Sequence, residues 1–138
     1  PIPYPGGPIR CPWIGSMTRR RQDLGREGEQ RAARYLESQG YRIVARNVRA
    51  DRVEIDLVAR RGRVLAFVEV KTRRSRHQGT PEAAVDARKQ ARLARGARAW
   101  LREHGARSAR VRFDVIGVAP GPAGDLQVRH WPAAFDAD

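Results

Sequence analysis

Three side chains in this sequence combine type and spacing in a way that can do chemistry: Asp56, Glu69 and Lys71. Glu69 and Lys71 close the apolar run Ala66-Phe67-Val68-Glu69-Val70-Lys71, which reads as a strand buried within a sheet. Residues two apart in a strand share a face, so these two side chains project side by side, about 6–7 Å apart. Twelve residues separate Asp56 from Glu69, and Asp56 belongs to Val53–Arg60, which alternates in the same way. An Arg61-Gly62 turn joins the two strands, so the hairpin brings two carboxylates and one ammonium to one sheet face. Hard cations such as Mg²⁺ take one or two carboxylates from a protein and keep positions for water and phosphate. Such a site activates water for attack on phosphorus, with Lys71 placed to orient or deprotonate that water. The competing reading is an ordinary charged hairpin face carrying a weak Glu–Lys pair.

The elements that must position this trio follow from periodicity. Leu24, Gly28, Ala32, Tyr35 and Leu36 recur at helical spacing, which predicts a helix over Gln22–Gln39 that stops at Gly40. Tyr41–Arg46 reads as a short strand and Asn47–Arg52 as a polar, basic loop. Val53, Ile55, Leu57 and Ala59 are expected on one face of the next strand, with Glu54, Asp56 and Val58 on the other. In Val64–Lys71, the set Val64, Ala66, Val68 and Val70 opposes Leu65, Phe67, Glu69 and Lys71. A basic loop follows, ending at Gly79. A second helix is expected from Pro81, capped by Thr80, to His104, with Gly105 ending it. Strands at Ala109–Val118 and Leu126–Trp131 flank a Pro120–Gly124 turn. The order α-β-β-β-α-β-β predicts an α/β domain, a mixed β-sheet flanked by helices, with the second helix as the parallel crossover. One domain is expected over residues 18–138. Residues 1–17, rich in proline and glycine, are expected to form a disordered extension, with Met17 as the natural start.

The charge points to a partner. Lys and Arg number 28 against 15 Asp and Glu, a formal net charge of +13. Such a surface attracts polyanions, chiefly by counterion release, and arginine adds bidentate phosphate contacts. A composition shaped by codon bias is the plainer explanation. Cys11 is the single cysteine, which excludes an internal disulfide framework or a cysteine zinc site and fits a reducing cytoplasm. No apolar run approaches the roughly 20 residues of a membrane span, so no membrane is expected as partner. The first residues lack the charged and apolar regions of a signal peptide. Neither a serine-nucleophile elbow nor a glycine-rich nucleotide loop is present, and His77, His104 and His130 show no ligand spacing.

Asp56 with Glu69-Val70-Lys71 resembles the PD-(D/E)xK signature of restriction-endonuclease-like nucleases, a superfamily that includes Holliday-junction resolvases. More closely, Gly25–Phe135 resembles the YraN-like family of small bacterial proteins. The matching blocks are Gly25-Arg26-Glu27-Gly28-Glu29 with Ala32, Tyr35 and Leu36; Gly40-Tyr41; Arg46-Asn47-Val48-Arg49; Glu54-Ile55-Asp56-Leu57-Val58; Phe67-Val68-Glu69-Val70-Lys71-Thr72-Arg73; Arg112-Phe113-Asp114-Val115; and Ala134-Phe135. Val53 departs from the family, which has glycine there. The resemblance implies a restriction-endonuclease-like fold. It also implies a Mg²⁺- or Mn²⁺-dependent endonuclease acting on phosphodiester bonds of DNA or structured nucleic acid.

Glu29 flanks the apolar stripe of the first helix. In resolvase-like relatives a glutamate of that helix completes the metal site, so the resemblance implies Asp56, Glu69 and Glu29 as ligands. A solvated helix flank is the alternative for Glu29. Lys89 interrupts an apolar stripe of the second helix, either snorkelling to the surface or reaching the phosphate site. Asp114 reads as an arginine's partner before a metal ligand, and Glu54 as a reserve ligand. The basic segments supply the candidate nucleic-acid contacts: Arg46, Arg49, Arg52, Lys71, Arg73, Arg74, Arg76 and Lys89. Backbone contacts position a substrate without reading bases, so selection by structure rather than sequence is expected, with DNA foremost as partner. Resolvase-like enzymes cut paired strands, which makes a homodimer an open expectation. The rival functions are a non-catalytic nucleic-acid-binding module in DNA repair or recombination, and an interaction protein recruited to such a machine.

Overall fold

The computed structural model describes residues 12–74, 82–105 and 109–136, with side chains in the first helix described from Asp23 onward. The elements are α1 (Pro12–Ser38), β1 (Arg42–Ala50), β2 (Val53–Arg61), β3 (Val64–Thr72), α2 (Ala87–His104), β4 (Arg110–Pro120) and β5 (Leu126–Phe135). The five strands form one open sheet in the order β1-β2-β3-β4-β5. Only β3 and β4 run parallel, and α2 carries the chain between them. The expected α/β class and element order are both found.

Alternation along β3 divides the core between two layers. Ala66, Val68 and Val70 pack with Ala32, Ala33 and Leu36 of α1. Leu65 and Phe67 pack with Ala94, Ala97 and Trp100 of α2 on the opposite face. Phe67 meets Trp100 edge-on at 5.7 Å and stacks on Phe113 at 5.9 Å, two favourable aromatic geometries at the centre of that layer.

Four sequence expectations need correction. β1 runs through Asn47 to Ala50, so Asn47–Arg52 is mostly strand rather than loop, and only Asp51-Arg52 form the turn. Asn47 holds a left-handed φ of 48° within that strand, a conformation asparagine tolerates better than most residues. The second helix does not begin at Pro81. A short 3₁₀ turn spans Glu82–Ala84, and α2 starts at Ala87, where Asp86 caps it by accepting the Lys89 amide at 2.9 Å. The expected Thr80 cap lies outside the described residues.

The third correction concerns β2. Leu57 and Ala59 pack on the α1 side as expected, but Val53 and Ile55 join clusters on the α2 side. The β2–β3 pairing extends from Arg61↔Val64 only to Leu57↔Val68. Beyond Leu57 the two strands part, freeing β2 to turn its apolar side chains toward α2. The parting point is Asp56. The fifth strand is also longer than expected, reaching Phe135.

Candidate functional site

Where β2 and β3 separate, the Val70 amide loses its place in the ladder. Asp56 replaces the missing carbonyl: its Oδ2 accepts the Val70 N–H at 2.8 Å. That bond fixes the Asp56 carboxyl at the mouth of the split, facing Glu69. Glu69 is only 6% exposed, and a carboxylate so buried requires partners. Two lysines supply them. Glu69 Oε2 lies 2.6 Å from Lys89 Nζ and 3.2 Å from Lys71 Nζ.

Lys89 therefore neither snorkels away nor stands free; it reaches across from α2 to the carboxylate on β3. A signal for it was present in the composition. Among 28 basic residues the only lysines are Lys71 and Lys89, and both converge on Glu69. An ammonium is a compact donor that gives up its proton when desolvated, which a guanidinium does not. Desolvation and the neighbouring Lys89 lower the pKa of Lys71. Burial opposes the charge of Lys89 too, but its hydrogen bond and attraction to Glu69 prevail and raise its pKa. The pair thus divides into a lysine that keeps its charge and one that more readily loses it.

Glu29 joins the carboxylates from the other layer. A cleft of about 580 Å³ is lined by Leu24, Gly25 and Glu29 of α1, Asp56 of β2, and Glu69, Val70 and Thr72 of β3, with Arg74 beyond. Gly28 makes that approach possible. A methyl group there would overlap Thr72 Oγ1, and the Thr72 Cβ and Cγ2 lie only 3.1 Å from the same point, so rotating Thr72 offers no escape. Gly28→Ala should lift α1 from β3, lower stability by about 1–3 kcal/mol and shift Glu29 from the cleft. Urea unfolding measures the first effect, and a resonance shift at the Glu29 carboxyl measures the second. Gly96 serves the opposite face, where an added Cβ would stand 2.8 Å from the Val53 Cβ. The bulk of Val53 is thus met by a helix residue with no side chain.

Three acidic groups in one cleft repel one another. Burial and the nearby Glu69 and Glu29 charges push Asp56 up to about 7, against the pull of the Val70 hydrogen bond. Glu29 is also raised, by burial first and then by Glu54 and Glu69, while a hydrogen bond from Asn47 works the other way. Asn47 was not singled out by sequence reasoning; its poor strand propensity was the available clue. The donors are hard oxygens of the kind Mg²⁺ and Mn²⁺ accept, and a cation between them would relieve the repulsion. Among the described residues, however, no group of three or more His, Cys, Asp or Glu side chains is arranged to hold a metal ion.

A smaller cleft of about 230 Å³ opens on the α2 side of the same carboxylates, lined by Val53, Glu54, Asp56, Glu69, Lys89, Arg92 and Leu93. Glu54 is exposed there, and Arg92 is a cation that sequence reasoning overlooked. Of the expected nucleic-acid contacts, Lys71 and Lys89 sit on Glu69, and Arg74 lines the larger cleft. The Arg73 amide anchors to the Val118 carbonyl at 2.8 Å, which steers the segment beside the cleft. Arg46, Arg49 and Arg52 are exposed on β1 and its turn and line neither cleft. Arg76 and His77 lie outside the described residues.

Asp114 belongs to a separate cluster. It is fully buried on β4 and takes a bidentate bond from Arg112, at 2.8 and 2.7 Å, as the sequence led us to expect. His130 Nε2 stands 2.7 Å from its Oδ2, and the Ala133 amide donates to Oδ1 at 3.1 Å. Arg112 also donates to the Tyr41 hydroxyl, and Tyr35 of α1 meets His130 Nδ1. The cluster ties α1, the α1–β1 turn and β5 to β4.

Fold and site together define a class: a three-layer α/β domain whose mixed sheet carries paired carboxylates, one of them bound by two lysines, where two strands split. The chain belongs to the Uncharacterised protein family UPF0102, whose pattern matches residues 28–118. It is 54% identical to a UPF0102 protein of Symbiobacterium thermophilum, over 88% of this chain and 100% of that one. A UPF0102 protein of Anaeromyxobacter dehalogenans is 49% identical, over 86% and 87% of the two chains. The YraN-like resemblance is borne out at the level of that family. Among solved structures, Pyrococcus furiosus SfsA in complex with Ca²⁺ is similar with a TM-score of 0.39 and 16% identity, over 78% of this chain and 62% of that one. A likeness so slight says nothing about this site. No helix among the described residues is long and apolar enough to cross a membrane.

Proposed function

We propose that this protein is a metal-dependent endonuclease of the restriction-endonuclease-like superfamily. It hydrolyses phosphodiester bonds in DNA or structured nucleic acid and selects by structure rather than sequence. The observation that carries the reading is Asp56 and Glu69 side by side in the cleft, with the chain's only two lysines both bound to Glu69. Asp56 and Glu69 would supply the one or two carboxylates that Mg²⁺ or Mn²⁺ takes from a protein, with Glu29 across the cleft, and a bound ion would supply positive charge to phosphoryl oxygens. Lys89, which keeps its proton, holds Glu69 in place. Lys71, more easily deprotonated, takes the proton of the attacking water at its Nζ. Arg74 meets phosphate at the cleft wall, with Arg46, Arg49, Arg52 and Arg73 gripping the backbone farther out.

One observation favours a second reading, a non-catalytic nucleic-acid-binding module for DNA repair or recombination: two lysines already offset Glu69 without any cation. Cleavage of branched, flapped and linear DNA with Mn²⁺ decides between them. The enzyme reading expects branched or flapped substrates to be cut preferentially, and cutting to be lost in Asp56→Ala and Glu69→Ala while binding persists. Equal, background cleavage by all three proteins overturns it.

A further inference from the structure

The end of the sheet opposite the carboxylates gathers arginines that sequence order scatters. Arg42 opens β1 and pairs in register with Arg60, near the end of β2. Arg61 and Arg63 flank Gly62 in the β2–β3 turn. Arg110 opens β4 opposite Val64, its amide bonded to the Arg63 carbonyl at 2.7 Å. Five arginines from β1, β2, the β2–β3 turn and β4 thus share one end of the sheet. With strands about 4.8 Å apart, the row from β1 to β4 is about 14 Å wide.

Two of the five are partly engaged within the molecule. Arg61 donates to the Gln39 carbonyl at the end of α1 and lies over the Tyr41 ring, while Arg60 donates to the Gly62 carbonyl. Arg42, Arg63 and Arg110 are exposed, and none of the five forms an ion pair among the described residues. Glu37 and Glu103, exposed near the ends of the two helices, do not pair with them. Holding like charges together without counter-ions costs energy that a polyanion repays.

We infer that this arginine row is a second docking surface, which grips the backbone of duplex DNA away from the carboxylate cleft. Val64 and Glu69 mark its distance from that cleft: five residues along β3, about 17 Å. Duplex rises 3.4 Å per base pair, so the two surfaces stand about five base pairs apart along one helix. A row about 14 Å wide lies across a duplex so directed and exceeds the roughly 12 Å width of its major groove, enough for phosphates of both strands to meet it. The inference rests on the proposed function only for the direction of the duplex, because the grip itself needs neither metal nor cleavage.

The test is binding of a fluorescent 30-base-pair DNA duplex in EDTA across a salt series. Each phosphate contact contributes about 0.9 to the slope of log affinity against log salt, so Arg42→Ala, Arg63→Ala and Arg110→Ala combined should lower that slope by about 2.7. Between 50 and 200 mM salt, the fall in affinity should then be about 40-fold smaller than for the wild type. Each single variant should lower the slope by about one, which keeps the test valid if the triple variant fails to fold. An unchanged slope in all three singles overturns the inference. A change seen with duplex RNA but not with duplex DNA overturns the choice of partner. The assay contains EDTA and reads no cleavage, so a protein that binds this way and never cuts defeats only the enzyme reading.

Discussion

Without divalent cations at pH 8, Asp56→Asn should melt roughly 5–10 °C above the wild type while cleaving about 10³-fold more slowly with Mn²⁺. The two effects have one cause. Burial and the Glu69 and Glu29 charges hold the Asp56 pKa at about 7, far above its ordinary value of 3.8. The folded protein therefore binds more protons than the unfolded chain between about pH 4 and 7. Stability falls as pH rises through that window and levels off above it. A neutral amide removes the cost, so the advantage of Asp56→Asn should be larger at pH 8 than at pH 4. An amide is also a poor ligand for a hard cation, whose contribution of several kcal/mol accounts for the loss in rate. Thermal melts at pH 4, 6 and 8 check the sign. An Asp56→Asn protein less stable than wild type at pH 8 would contradict this account. Mn²⁺ should raise the melting temperature of the wild type and leave that of the variant unchanged.

The second large effect lies in the Asp114 cluster. Removing Arg112 as Arg112→Ala leaves a fully buried carboxylate without its bidentate cation, and should cost about 3–5 kcal/mol. Burial alone would raise the Asp114 pKa, but His130, Arg112 and the Ala133 amide overcome it and depress the value. A depressed carboxylate stabilises the fold above its unfolded pKa, and that stability is lost as pH falls through the lower folded value. The wild type should thus lose this contribution only below about pH 4, and Arg112→Ala at a higher pH. Urea titrations from pH 3 to 7 make the comparison. A variant within 1 kcal/mol of wild type at neutral pH would show that His130 and the Ala133 amide suffice.

These features were unequally legible in the sequence. The faces of β3 could be read because its alternation is unbroken, and this placed Glu69 and Lys71 together. The faces of β2 could not, since Val53 and Ile55 change sides through a strand separation that no local pattern announces. Asn47 hid four strand residues behind a loop-like, basic composition. Arg112 and Asp114 stand two apart and could be matched by eye, whereas His130 reaches Asp114 only through the β4–β5 register. The arginine row was the least visible part. Its members are separated by up to 68 positions, from Arg42 to Arg110, and only strand order makes them neighbours.

The parting of β2 and β3 has a kinetic consequence. It leaves the Asp56–Glu69 pair reachable through both faces of the sheet, as through a window. The α1 side offers Glu29, and the α2 side offers Lys89 and Arg92. Under the proposed function, ligands would reach the pair from either side, past Arg74 on one and Lys89 and Arg92 on the other. With two entrances, the architecture would impose no compulsory order of binding.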